Sequence, residues 1–149
     1  MIFLTVGTGK FDELVEEVDK IAAQLNELII FQIGNGSYVP KGGISFRFQP
    51  NIEKYCKDSR LVITHGGAGT IYSLLKQNKK VIAVANYDRT DNHQQDILKA
   101  LSSDNFLIWC KDPSKVSESI KQSETYKFEK YTSPKCNISK KIGEYLNEL

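Results

Sequence analysis

The chain has 149 residues, a formal charge of +2, and 40% hydrophobic against 26% charged residues. That length suits one domain with a sizeable core. The charge is too small to point to nucleic acid, and no apolar run reaches the roughly 20 residues of a membrane span. The opening "MIFLTVGTGKFDE" lacks the basic start and long apolar stretch of a signal peptide, so a cytoplasmic protein is expected. Cys56, Cys110 and Cys136 are odd in number and widely spaced, and read as free thiols. With His65 and His93 the only histidines and no CxxC or HxxxH spacing, no metal site is expected.

In chain order, residues 2–6, "IFLTV", form a β-rich run that stops at "GTG". From Phe11 the apolar positions Leu14, Val15, Val18, Ile21, Ala22 and Leu25 fall at helical spacing, with acidic residues in the first turns where the helix dipole favours them. "LIIFQI" reads as a buried strand closed by "GNGS", and the alternating "ISFRF" as another strand. Asn51 is the expected N-cap of a short helix whose Ile52, Tyr55 and Cys56 face inward. "LVIT" is the next strand, residues 68–77 look helical, and "VIAVA" is a further strand. A helix is expected from about Asp91 to Leu101, with Ile97, Leu98 and Leu101 inward, then a strand "FLIWC". Asp112-Pro113 gives an N-cap followed by proline at the first helical position. Residues 123–134 lack periodicity and read as a loop or linker, and 135–149 as an amphipathic helix carrying Ile138, Ile142, Tyr145 and Leu146. A ligand-binding domain over residues 1–122 precedes both.

Short, unbroken apolar strands alternating with helices point to an α/β fold: a parallel, Rossmann-like sheet with helices on both faces. Ligands of such sheets sit beyond the carboxyl ends of the strands. Three glycine-bearing loops fall there: "GTG", "GNGS" and "HGGAGT". Gly7-Thr8-Gly9-Lys10 is not a P-loop, because Leu4 and Phe11 occupy positions that need glycine and Ser/Thr. It is not a dinucleotide fingerprint either, since Asp12 stands where the third glycine belongs. His65-Gly66-Gly67 has no GxSxG nucleophile elbow to accompany it, which argues against an acyl hydrolase.

What remains is anion binding at a helix N-terminus. From His65 to Ser73 a strand, a glycine loop and a helix follow one another, and bare glycines would let a phosphate approach the free amides. The same glycines could instead serve a tight turn alone. One strand later, "DRTDNHQQD" brings Asn92, His93 and Gln94 to a helix start, where paired donors and acceptors suit sugar hydroxyls. N-capping and a solvated face would explain that cluster equally well. Together the two loops suggest a nucleotide sugar.

"FLTVGTGKFDEL", "VITHGGAGTIYSLL", "KKVIAVA" and "DNHQQDILKAL" resemble the glycosyltransferase family 28 C-terminal domain. The resemblance runs from Met1 to about residue 122 and is strongest to the small stand-alone form. That form includes bacterial exopolysaccharide and capsule glycosyltransferase subunits and the catalytic subunit of a eukaryotic two-subunit N-acetylglucosaminyltransferase. The resemblance implies the donor-binding, C-terminal half of a GT-B enzyme. Gly66, Gly67, Ala68, Gly69 and Thr70 would hold the diphosphate of a UDP-sugar, with Gly7 and Thr8 nearby. Phe48 and Gln49 would lie near the uracil, and Asn92, His93 and Gln94 near the donor sugar. Many relatives carry a glutamate for the ribose hydroxyls where this chain has Ser73.

The implied chemistry needs no metal and no cofactor. Helix-terminal amides stabilise the departing UDP, and a base takes the acceptor proton. His65 is the candidate base, with a structural hydrogen-bonding role as its alternative. In GT-B enzymes the acceptor usually binds a second domain. The expected partner is therefore a membrane-anchored subunit carrying a polyprenyl-linked acceptor, with this chain peripheral at the cytoplasmic face. A non-catalytic nucleotide-sugar-binding regulatory subunit and a structural interaction domain are the competing classes. Galactose, glucuronic acid, glucose and N-acetylglucosamine all stay open as the sugar.

Overall fold

Six short apolar runs form strands: β1 (Ile2–Thr5), β2 (Ile29–Gln32), β3 (Ile44–Phe46), β4 (Leu61–His65), β5 (Val81–Val84) and β6 (Ile108–Cys110). They form one all-parallel sheet in the order β3-β2-β1-β4-β5-β6. The computed structural model describes residues 1–87 and 93–133, with only the backbone of His93; Asn92 and the helix expected at 135–149 lie outside the described residues. The strands read as unbroken apolar runs because both faces of the sheet are covered. Alternate residues feed two cores. Ile2, Leu4, Leu61, Ile63, Ile82 and Val84 pack under α1 (Asp12–Leu25) and α5 (Val116–Thr125). Phe3, Val62, Val81 and Ala83 pack under α2 (Glu53–Asp58), α3 (Ala68–Lys76) and α4 (His93–Ser103). Chain order reverses between β1 and β4, so the loops at their carboxyl ends part around a crevice.

Several expected boundaries shift for local reasons. Asn51 Oδ1 accepts the Glu53 amide at 2.8 Å, so it satisfies the first turn of α2 although Ile52 is the boundary residue. Asp112 accepts the Ser114 amide at 2.9 Å and opens a 3₁₀ turn, Pro113–Lys115, ahead of α5. "ISFRF" is a strand only through Phe46; it lies at the sheet edge, where Ile44 and Phe48 are more than half exposed. The loop expected over 123–134 starts at Tyr126, and residues 126–133 carry no helix or strand. Residues 123–125 complete α5, Tyr126 and Phe128 pack against one core, and Tyr131 packs against the other beside Tyr72 and Phe106. Its aromatics Tyr126, Phe128 and Tyr131 are spaced first by two residues and then by three, so neither the strand nor the helical period marks them.

Cys56 and Cys110 are buried free thiols, and burial pushes the pKa of each up. No described helix is long and apolar enough to cross a membrane.

Two carboxylates of α1 staple the chain between β2 and β3. Asp12 accepts the amides of Ser37 and Tyr38, and Asp19 accepts those of Lys41 and Gly42 together with the Tyr38 hydroxyl. Burial, the largest influence on each, raises its pKa. These donors outweigh it, with help from Lys10 at Asp12 and Lys41 at Asp19, so both carboxyls end below the ordinary 3.8. The staples hold the wall of the crevice: Asn35 N–H reaches Gly9 O at 2.9 Å, and Arg47 donates to Gly34 O and Gly36 O.

Candidate functional site

The glycine loop after β4 is shaped by two side chains as well as by the turn. Gly67 N–H donates to His65 O at 2.8 Å, which folds the chain back, and Gly67 precedes α3. A Cβ on Gly67 would lie 2.4 Å from His65 Nε2, so the imidazole lies against that backbone. A Cβ on Gly66 would lie 2.7 Å from Gln94 Oε1, so the first turn of α4 seats its glutamine on Gly66. Gly7, at φ +65°, approaches His65 Cε1 from the other side of the crevice. His65 is thus enclosed by the β1 loop and its own glycine loop, and lines a small cavity with Lys10 and Asn86. Asn86 Nδ2 donates to Lys10 O at 2.9 Å and ties the loop after β5 to the loop after β1. Sequence reasoning missed that tie; a lone asparagine in a polar loop carries no signal for it.

Gly69 differs from its neighbours. A Cβ there would meet nothing within 4 Å. It opens onto a hollow of about 460 Å³ between α2 and α3, lined by Pro50, Ile52 and Cys56 on one side and Thr70, Ser73 and Gln77 on the other. No side chain caps the N-terminus of α3, and the first-turn amides of a helix carry its positive dipole end. An anion with a ring system attached would find amides at that end and a half-apolar cleft beside it.

Buried polar groups cluster at the same carboxyl edge. Thr5 Oγ1 donates to Gln32 Oε1 at 2.6 Å and accepts the Gly7 amide at 3.1 Å, which fixes the start of the β1 loop. Thr64, paired with Thr5 in register, is fully buried, and its hydroxyl has no hydrogen-bond partner. Gln94 Oε1 is likewise buried without one. Unmatched acceptors of this kind are rare in protein interiors.

The remaining expected residues are spread around this centre. Thr8 is exposed on the β1 loop, and Phe48 is 55% exposed at the mouth beyond β3. Gln49 Oε1 accepts from Tyr55 Oη at 3.1 Å. Ser73 is on the exposed face of α3. The structure brings His65, Gly66, Gly67 and Gln94 together with Gly7, and sets Gly69, Thr70 and Ser73 along the hollow. Asn92 and the His93 side chain lie outside the described residues. Among the described residues no three His, Cys, Asp or Glu side chains converge to hold a metal ion.

The family model for the glycosyltransferase family 28 C-terminal domain matches residues 1–148, and the chain belongs to that family. It is 30% identical over 122 residues to the human UDP-N-acetylglucosamine transferase subunit ALG13; the match takes in 73% of this chain and 11% of that protein. An NMR solution structure of ALG13 superposes with a TM-score of 0.63 at 23% identity, covering 89% of each chain. MurG of Acinetobacter baumannii superposes with a TM-score of 0.69 at 16% identity, covering 99% of this chain and 49% of MurG. The fold is therefore one half of a GT-B glycosyltransferase.

Proposed function

We propose that this chain is the donor-binding and catalytic subunit of a two-part glycosyltransferase that moves a sugar from a UDP-sugar to a lipid-linked acceptor. The observation that carries the reading is Gln94 Oε1, buried and unmatched against Gly66, beside an uncapped helix N-terminus. One ligand answers both: a diphosphate for the amides of α3 and a sugar hydroxyl for the glutamine oxygen. The name of the human relative, a UDP-N-acetylglucosamine transferase subunit, supports UDP as the nucleotide and supports a partner chain. It also makes N-acetylglucosamine the first sugar to test.

In this reading the acceptor hydroxyl attacks the anomeric carbon. The bond from that carbon to the diphosphate oxygen breaks, and UDP leaves with the electron pair. The α3 amides take up the charge that develops on it. The acceptor proton passes to a base, for which His65, enclosed by Gly7 and Gly67, is the candidate. No metal or cofactor enters this scheme. The membrane-anchored partner supplies a polyprenyl-linked acceptor, and the chain works peripherally at the cytoplasmic face. Exopolysaccharide or capsule synthesis is the setting that the likeness to small stand-alone bacterial subunits supports.

Thermal stabilisation by a panel of UDP-sugars tests the donor reading. Ligand at about 100 times its dissociation constant adds about 2.7 kcal/mol, and Gln94→Ala should lose most of that gain. No stabilisation by any UDP-sugar would contradict it. Transfer to lipid-linked acceptor by the co-expressed pair, lost in His65→Ala, would separate an enzyme subunit from a regulatory one.

A further inference from the structure

Gln32 closes an otherwise apolar strand and faces Thr5 in the neighbouring one. Gln32 is 2% exposed and Thr5 is fully buried. Two apolar side chains of similar shape would serve stability equally well there, so the polar pair calls for another reason. A hydroxyl has one proton to give. Thr5 Oγ1 donates it to Gln32 Oε1 at 2.6 Å, which leaves the hydroxyl oxygen as an acceptor. The Gly7 amide, two residues on, bonds to it at 3.1 Å and turns the chain out of β1. Gly7 stands at φ +65°, and a Cβ on it would lie 3.2 Å from His65 Cε1. The opposite side of the imidazole lies against Gly67. Gln32 thus orients Thr5, Thr5 holds Gly7, and Gly7 bounds the place of His65. The tip of the same loop has its own ties, Asn35 N–H to Gly9 O and Asn86 Nδ2 to Lys10 O.

We propose that Gln32 and Thr5 are positioning residues for sugar transfer, setting the His65 imidazole in the crevice through Gly7. This rests on the donor reading above, with His65 as the base, and adds to it two buried side chains that touch neither donor nor acceptor. Their loss costs alignment at the reacting centre rather than donor binding, because the amides offered to the diphosphate belong to α3. Thr5→Val combined with Gln32→Leu removes the hydroxyl and its partner together, so no buried polar atom is left unpaired. The Gly7 amide is only half-buried and can turn to water.

Proton NMR of the full chain reads this geometry without reference to activity. The wild type should show a nuclear Overhauser contact between a Gly7 α-proton and His65 Hε1. Thr5→Ser, which keeps the hydroxyl, should show it too. The double variant Thr5→Val/Gln32→Leu should lose it while its thermal midpoint stays within about 4 °C of the wild type. In the co-expressed pair with UDP-N-acetylglucosamine as donor, kcat of the double variant should fall by about tenfold to 100-fold. Its affinity for UDP, measured by calorimetry, should stay within about threefold. Thr5→Ser should recover most of the rate. A double variant that unfolds makes the pair structural and overturns the inference. So does one that keeps the Overhauser contact, or one that keeps the wild-type kcat although His65→Ala abolishes transfer. In each of these cases UDP binding by the wild type leaves the donor reading standing. If the wild type binds no UDP, both fall.

Discussion

The loops that follow β2 and β4 border the same crevice, and both are rich in glycine, but they use it differently. After β2 every glycine is filled by the protein itself: a Cβ on Gly34 or Gly43 would be 2.2 Å from a backbone oxygen, that of Gly9 or Ile29, and a Cβ on Gly36 or Gly42 would be 2.3 Å from Asp12 Oδ1 or Ala22 Cβ. After β4, Gly66 and Gly67 make room for the chain's own side chains, and only Gly69 faces open space. Glycine density is therefore a poor guide to a ligand. What separates a packing glycine from a binding one is what its missing side chain would have touched.

Substitutions at these glycines should reproduce the difference. The largest effect is expected at Gly34, where φ is +55° and the obstacle is rigid backbone. Gly34→Ala should cost about 3 kcal/mol in urea unfolding; a loss below about 1 kcal/mol would mean the two loops are not locked together. Gly67→Ala should cost less stability, about 1 kcal/mol, because the imidazole it strikes can swing aside. Displacing His65 should still slow sugar transfer by about 100-fold if the imidazole acts on the acceptor. An unchanged rate would remove His65 from the chemistry.

The smallest effect concerns the staples behind the β2 loop. Asp12 and Asp19 have folded-state pKa values below the ordinary 3.8, so their stabilisation is complete above that value. It is lost as pH falls through the lower folded values. Asp19→Asn should lower stability near neutrality by about 1 kcal/mol, reduced by the carboxylate's exposure. It should also flatten the acid-side fall of the urea midpoint. An acid limb as steep as that of the wild type would assign the pH dependence to other carboxylates.

Much of the fold could be read from the residues because each strand is a short apolar run and each long helix has one apolar stripe. The runs "IFLTV" and "VIAVA" overshoot their strands by a single residue. The site was legible at the level of loops. HGGAGT and the start of α4 do meet, through Gln94 on Gly66. What the residues could not give is the division of labour among Gly66, Gly67 and Gly69, which depends on where His65 and Gln94 lie in three dimensions. Nor could they single out Gln32. A glutamine at a strand end is ordinary in sequence, and only its bond to the Thr5 hydroxyl marks it. The 126–133 segment was opaque for a similar reason, since its packing depends on three aromatics spaced without a period.

The central claim is that the open side of Gly69 is where a nucleotide sits, and Gly69→Ala tests it directly. Alanine within α3 should raise stability by about 0.5–1 kcal/mol, because nothing in the protein obstructs the new methyl group and glycine is the poorer helix former. Measured by calorimetry on the same sample, affinity for UDP should fall by about tenfold or more, since the methyl group intrudes on the ligand. A variant that gains stability and binds UDP as the wild type does would contradict the account.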